Sequence, residues 1–202
     1  MSLATSQSQL KFPAFNIPRF TEADLVRQIA MAMENTSGEV QILAVKTVLA
    51  KSIRKHPGFL PERFCRATAG HYARRLLYSD PDRRFSILVM TWGAGQGTCL
   101  HDHGGTWVVE CVYRGRIRVT NYDHLGEKEG LHQFRPLTTD LALPGAADHR
   151  MPPEEHHILE NDQLEPSVTI HVFGGSMESC NAFEPVPGGY RKSLFRPQLT
   201  VG

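Results

Sequence analysis

The sequence predicts an antiparallel β-barrel or sandwich with two or three helices in front of it. Up to about residue 66, apolar residues recur at helical spacing. From Tyr72 the chain changes to short runs rich in β-branched and aromatic residues, separated by glycine-containing turns. With 202 residues, 41% of them hydrophobic, the chain is long enough to bury a core and too apolar to stay disordered.

Residues 1–20 carry two prolines and little periodicity, which predicts an extended arm. Thr21 is placed to cap a helix, with Asp24 three positions on and Leu25, Ile29 and Met33 at i, i+4 and i+8. A second helix is predicted from Gly38 to Lys55, with Ile42, Val45, Val48, Leu49 and Ile53 on one face. Pro57 and Gly58 end it, and a short helical segment follows around Pro61–Arg66. The strand-like runs are Ser86–Trp92, Thr106–Tyr113, Arg116–Tyr122 and Val168–Phe173. Trp107–Tyr122, interrupted by Arg114-Gly115, reads as a β-hairpin. The expected organisation is one domain over 1–202, helical over 21–68 and a barrel over 72–190.

Charge and composition exclude several functions. The 22 basic and 21 acidic residues nearly cancel, which gives no electrostatic reason to expect nucleic acid or an anionic membrane as partner. No stretch approaches the roughly 20 apolar residues of a membrane span. No basic-then-apolar leader opens the chain, and Cys65, Cys99, Cys111 and Cys180 form no C-x-x-C pair, so reduced thiols and a cytoplasmic address are expected. Nothing in the sequence speaks to oligomeric state.

The chemistry lies in the histidines, ten in all. His101-Asp102-His103 is an H-x-H pair, and on a strand residues i and i+2 share a face, so both imidazoles can converge on one point. A second block, Pro152-Pro153-Glu154-Glu155-His156-His157 through Asn161, supplies a further histidine. His156 and His157 compete for that role, and the spacing to Asn161 favours His157. The remaining candidates, His71, His124, His132 and His149, stand outside any motif. Together the two blocks resemble the paired motifs of the cupin superfamily, G-x5-H-x-H-x4-E-x6-G and P-x-G-x2-H-x3-N. Gly95, His101, His103 and Gly115 are in register, as are Pro152, His157 and Asn161. Val108 stands at the glutamate position and Glu154 where the pattern has glycine. This leaves three neutral histidines, a set that suits iron(II) and could equally hold zinc, nickel or manganese.

Four stretches narrow the resemblance: Tyr72-Ala73-Arg74; Trp92–Gly97 running into His101-Asp102-His103; His157–Asn161; and Glu165–Phe173. With Cys180 and Ala182-Phe183, they make the chain similar to the cysteine dioxygenase family over roughly residues 20–190. The resemblance implies an all-β, jelly-roll-like cupin barrel binding Fe(II) through His101, His103 and His157. It further implies oxidation of a small thiol by O₂ to the sulfinic acid. Arg74 falls where the family binds the substrate carboxylate, with Tyr72 beside it. The family's Ser-x-His-x-Tyr appears as Thr169, His171 and Phe173. Animal members also carry a cysteine, at the position of Val108, cross-linked to that tyrosine, and here both partners are apolar, so no cross-link can form. Cysteine, 3-mercaptopropionate and mercaptosuccinate are the candidate substrates. A different metal-dependent cupin enzyme, such as an isomerase or ring-cleaving dioxygenase, and a non-catalytic small-molecule binder are the alternatives.

Overall fold

A computed structural model describes residues 19–153 and 155–201. The arm expected over 1–20 therefore lies almost wholly outside the described residues, as does Glu154. Helix α1, Glu22–Asn35, starts at Thr21, whose hydroxyl accepts from the Asp24 amide while the Asp24 carboxylate accepts from the Thr21 amide. This reciprocal cap satisfies two of the donors a helix start leaves unpaired. Leu25, Ile29 and Met33 are its buried stripe. Helix α2, Gly38–Lys55, buries Ile42, Val45, Leu49 and Ile53, and a 3₁₀ turn at Glu62–Cys65 follows. No helix among the described residues is long and apolar enough to cross a membrane.

Among the described residues, eleven strands come next: β1 (Ala73–Ser79), β2 (Ser86–Trp92), β3 (Leu100–His101), β4 (Val108–Arg114), β5 (Ile117–Lys128), β6 (Leu131–Ala142), β7 (Ala147–Arg150), β8 (His157–Glu160), β9 (Ser167–Phe173), β10 (Cys180–Val186) and β11 (Gly189–Phe195). One sheet has the order β1-β2-β9-β4-β7; the other closes on itself as β10-β11-β6-β5-β8-β3. All pairings are antiparallel. The expected antiparallel barrel behind helices is the observed architecture.

Strand alternation gives the five-stranded sheet two different faces. Ile87, Val89, Val109, Cys111, Val168, Ile170 and Val172 belong to one core with the buried residues of α1 and α2. Leu88, Met90, Trp92, Val108, Val112 and Phe173 belong to a second, inside the barrel.

The hairpin expected over Trp107–Tyr122 does not form. β4 pairs with β7 and β9, whereas β5 pairs with β6 and β8 in the other sheet. Gly115 is a corner between the sheets: its φ is +78°, and a side chain there would collide with Ser167. Ser167 Oγ ties the corner down by donating to the Arg116 carbonyl and accepting from the Arg116 amide. β5 instead forms a hairpin with β6. Its two-residue turn, Glu129-Gly130, has φ of +53° and +78°, the left-handed pair that matches strand twist.

Candidate metal centre

His101 ends β3, His103 lies in the loop behind it, and His157 opens β8 as the register partner of His101. The three rings face one another at centroid separations of 5.2, 4.8 and 5.0 Å. One nitrogen from each falls within 4.8 Å of the other two. Their Nδ1 atoms are turned outward. That of His101 lies 3.0 Å from the Cys99 carbonyl, and that of His103 faces Glu155 Oε2 at 3.4 Å. Glu155 Oε2 also accepts from the His103 amide at 3.1 Å. His157 Nδ1 faces Arg150 Nε at 3.4 Å and Glu110 Oε2 at 3.7 Å. Nε2 of His103 and of His157 are buried and have no hydrogen-bond partner, and neither has Nδ1 of His103. Buried nitrogens left unpaired and pointed at a shared space are what a metal site requires, and outer partners on the far nitrogens are its usual companions. Burial and the adjacent His103 lower the His101 pKa to about 4, and burial takes His157 well below its ordinary value. Both are therefore neutral near pH 7, with lone pairs free for a cation. The donor set fits a divalent transition metal.

His156 takes no part in this cluster. Its ring lies 5.0 Å from Phe134, 5.4 Å from Phe183 and 5.5 Å from His124, on the other side of the chain from His157. His124 and His132 contact each other at 3.0 Å, away from the centre.

The glycine and asparagine of the motif serve the backbone. Asn161 Nδ2 donates to the carbonyls of Trp92, Gly93 and Glu165, and its backbone carbonyl accepts from the Gly95 amide. This ties the loop leading to His101 against the end of the strand carrying His157. Asp102, between His101 and His103, points the opposite way and accepts from the Asn181 and Gly104 amides. The H-x-H segment is thus anchored to β10 by its middle residue.

A narrow cavity of about 30 Å³ reaches the histidines, and Tyr72, Arg74, His101, His103, Phe173 and Cys180 are among its walls. Arg74 is 6% exposed; its Nε has no partner, and Nη1 reaches the Pro197 carbonyl at 3.5 Å. Burial lowers the Arg74 pKa, a penalty that an anionic ligand would relieve. Residues 195–200 complete this wall. Phe195 and Pro197 line the cavity, the Thr200 amide donates to the Arg74 carbonyl, and the Arg74 amide donates to Thr200 Oγ1. Tyr72 stacks on Trp92 at 4.6 Å, and burial pushes its phenol up to about 12. Arg75, one residue further along β1, is not among the residues lining this cavity.

On the inward face of β9, Thr169 Oγ1 lies 2.7 Å from His171 Nε2 and accepts from Trp92 Nε1 at 2.9 Å. Phe173 pairs across the sheet with Val108, both buried, so the positions of the family cross-link form an apolar contact.

The cluster holds three histidines and no carboxylate, in keeping with Val108 at the glutamate position, but a carboxylate lies beside it that the sequence reading did not single out. Glu110, two residues on and on the same strand face, brings Oε1 to 3.0 Å from His171 Nδ1 and 3.9 Å from His103 Nε2. Burial pushes its carboxyl pKa up, but the imidazoles of His157, His171 and His103 outweigh this and hold it well below the ordinary range. The available signal was a lone charge in the otherwise apolar run Val108–Val112, since unpaired glutamate is rarely buried. Glu155 and Arg150 were missed as well, and both sit beside histidines of the cluster.

Residues 14–185 match the family model described as cysteine dioxygenase type I. The chain is similar to cysteine dioxygenase type 1 of Rattus norvegicus, 22% identical over 121 residues and 60% of each chain. It is likewise 22% identical over 127 residues to that of Danio rerio, covering 62% of each. It thus spans about 60% of the length of these curated relatives. Among solved structures, it is similar to TT1209 from Thermus thermophilus, with 18% identity, a TM-score of 0.44 and coverage of 56% of this chain and 92% of that one. A double-stranded β-helix protein from Klebsiella pneumoniae is similar at 17% identity and a TM-score of 0.40, covering 57% and 88%.

Proposed function

This chain belongs to the cysteine dioxygenase type I family, and on that premise we propose that it is an iron(II)-dependent dioxygenase of small carboxylated thiols. The observation that carries this reading is that one narrow cavity is lined both by His101 and His103, two of the three converging histidines, and by the buried, under-partnered guanidinium of Arg74. The reaction joins one thiol and one O₂ into one sulfinic acid; sulfur gives up four electrons and O₂ takes them, so no further reductant is required. Ferrous iron held by His101, His103 and His157 would supply the redox chemistry and a preference for the thiolate over the thiol.

The remaining work belongs to the protein. Arg74 offers a planar fork that matches a carboxylate by two parallel hydrogen bonds, in a setting dry enough to make them strong. Tyr72 and Phe173 shape the cavity and keep water from its floor. Trp92, Thr169 and His171 form an ordered chain of polar groups, with Thr169 receiving the indole N–H and facing the imidazole. Phe173 offers no hydroxyl, so any hydrogen bond to the substrate on that side must come from elsewhere. Cysteine and 3-mercaptopropionate suit this cavity better than mercaptosuccinate: Arg74 is its one arginine or lysine among the described residues, and the Glu110 carboxylate also lines it.

The test is O₂ uptake by iron-loaded protein with cysteine, cysteamine, 3-mercaptopropionate and mercaptosuccinate. Arg74→Ala should lower kcat/KM for carboxylated thiols by about 2–5 kcal/mol in apparent transition-state binding, with Arg74→Lys recovering only part. Cysteamine, lacking a carboxylate, should be a poor substrate. Equal rates with cysteamine and cysteine, or an unchanged kcat/KM in Arg74→Ala, would remove the carboxylate from the reading.

A further inference from the structure

Glu110 sits in the middle of β4, directly opposite His171 on β9, with Val108 and Val112 as its neighbours on the same face. Its side chain is 10% exposed, and among the described residues its ion-pair partners are all imidazoles. Burying a carboxylate costs several kcal/mol unless its surroundings repay it. No lysine or arginine does so here. What it faces is the outer side of His157, the outer side of His171 and the Nε2 of His103.

It is not placed as a ligand. Only His101, His103 and His157 bring donor atoms within 4.8 Å of one another. Its two oxygens instead face two other imidazole nitrogens at ion-pair distance, short of hydrogen-bond geometry, Oε1 at 3.0 Å from His171 Nδ1 and Oε2 at 3.7 Å from His157 Nδ1.

The second contact has a rival. Arg150 Nε donates to the same His157 Nδ1 at 3.4 Å, the nearer of the two partners. A guanidinium can only donate, so pairing with Arg150 requires a lone pair on Nδ1 and puts the ring proton on Nε2. A histidine in that tautomer cannot ligate a metal through Nε2. A carboxylate can only accept, so pairing with Glu110 puts the proton on Nδ1 and frees Nε2. The same argument at His171 leaves its Nε2 as an acceptor for the Thr169 hydroxyl, 2.7 Å away, while Thr169 receives the Trp92 N–H.

We propose that Glu110 is a positioning residue that selects the Nδ1–H tautomer of both His157 and His171. It thereby frees one Nε2 for the metal and the other for Thr169. The inference rests on the three-histidine metal reading and adds to it a residue outside the ligand set.

Two measurements test it, neither of which depends on turnover. In optical titrations of metal-free protein with Co²⁺, Glu110→Gln should raise the dissociation constant about 10–100-fold, the usual cost of losing an outer partner of a ligand histidine. Glu110→Asp should recover part of that, and the metal-free variants should melt close to the parent. Histidine-ring ¹⁵N NMR of the unaltered, Zn²⁺-loaded protein should find both His157 and His171 protonated at Nδ1, which needs no variant to fold. Parental Co²⁺ affinity in Glu110→Gln, or an Nε2–H tautomer at His171, overturns the proposal. Failure of the parent protein to bind Co²⁺ or Zn²⁺ would defeat the metal reading itself and this inference with it, a result distinguishable from the other two.

Discussion

Toward the helices, β9 presents Val168, Ile170 and Val172; toward the barrel interior, it presents Thr169, His171 and Phe173. All six side chains are buried. The two sets nevertheless meet burial by different physics. The aliphatic face gains about 1.5–3 kcal/mol per side chain from leaving water and asks only for matching volume. The inner face loses hydration of polar groups and must replace it atom by atom, as the contacts from Trp92 to Thr169 to His171 do. Stability and chemistry are therefore separated by one residue of register on a shared backbone.

That separation can be broken most sharply at a ligand. His157→Ala should reduce bound metal from about one ion per chain to near zero and abolish O₂ uptake, whereas His156→Ala should keep the metal. Elemental analysis of the two purified variants decides it, and the opposite pattern would exchange the two histidines. On the other face, Ile170→Ala should cost about 2–5 kcal/mol in urea unfolding, the range for truncating a buried aliphatic. Its folded fraction should still bind Co²⁺ with parental affinity, and a large loss of affinity would mean the faces are not independent.

A pH series on metal-free protein sharpens the comparison from the polar side. His101 has a folded pKa of about 4, below its ordinary 6.5, and His157 is lowered too. Between pH 6.5 and about 4 the unfolded chain binds more protons than the folded one, so stability rises with pH across that window. These histidines should contribute fully above pH 6.5, and that contribution should fade as pH drops toward 4. Melting temperatures of metal-free parent and of His101→Ala should converge on acidification; a constant gap would refute the assignment.

A subtler change is Phe173→Tyr, which adds a hydroxyl to the inner face beside the His171 and His103 rings. It should shift the preference between cysteine and 3-mercaptopropionate by less than about tenfold, in favour of cysteine. Competition between the two thiols gives that ratio directly. The smallest effect concerns thiols. Cys99 is exposed, whereas burial pushes Cys111 and Cys180 up to about 12. Iodoacetamide near pH 8 should label Cys99 first, as peptide mass spectrometry would establish.

Much of this was legible in the sequence because it is local. The cap at Thr21-Asp24, the stripes of α1 and α2 and the i, i+2 pair His101/His103 each depend on residues within a few turns or a single strand. That His157 rather than His156 joins this pair follows from the same locality, because strand neighbours face apart. What escaped depends on which strands become neighbours. Arg114-Gly115 looks like a hairpin turn until Ser167, 52 positions from Gly115, fixes it as a corner. Glu110 looks like a stray charge until β9 places His171 opposite it. The β5–β6 turn was hidden because glutamate is an uncommon residue at a left-handed position.

The wall around Arg74 has a consequence for how the molecule is assembled during synthesis. Arg74 and Thr200 are 126 positions apart. At about 5–20 residues per second, roughly 6–25 s separate their emergence on a ribosome. All three clustered histidines precede residue 158, but His101 pairs with Ala182 and Asp102 accepts from the Asn181 amide, so the cluster is tied down only once β10 has been made. The cluster and the guanidinium wall are therefore completed by two successive stretches of chain, β10 first and residues 195–200 after it.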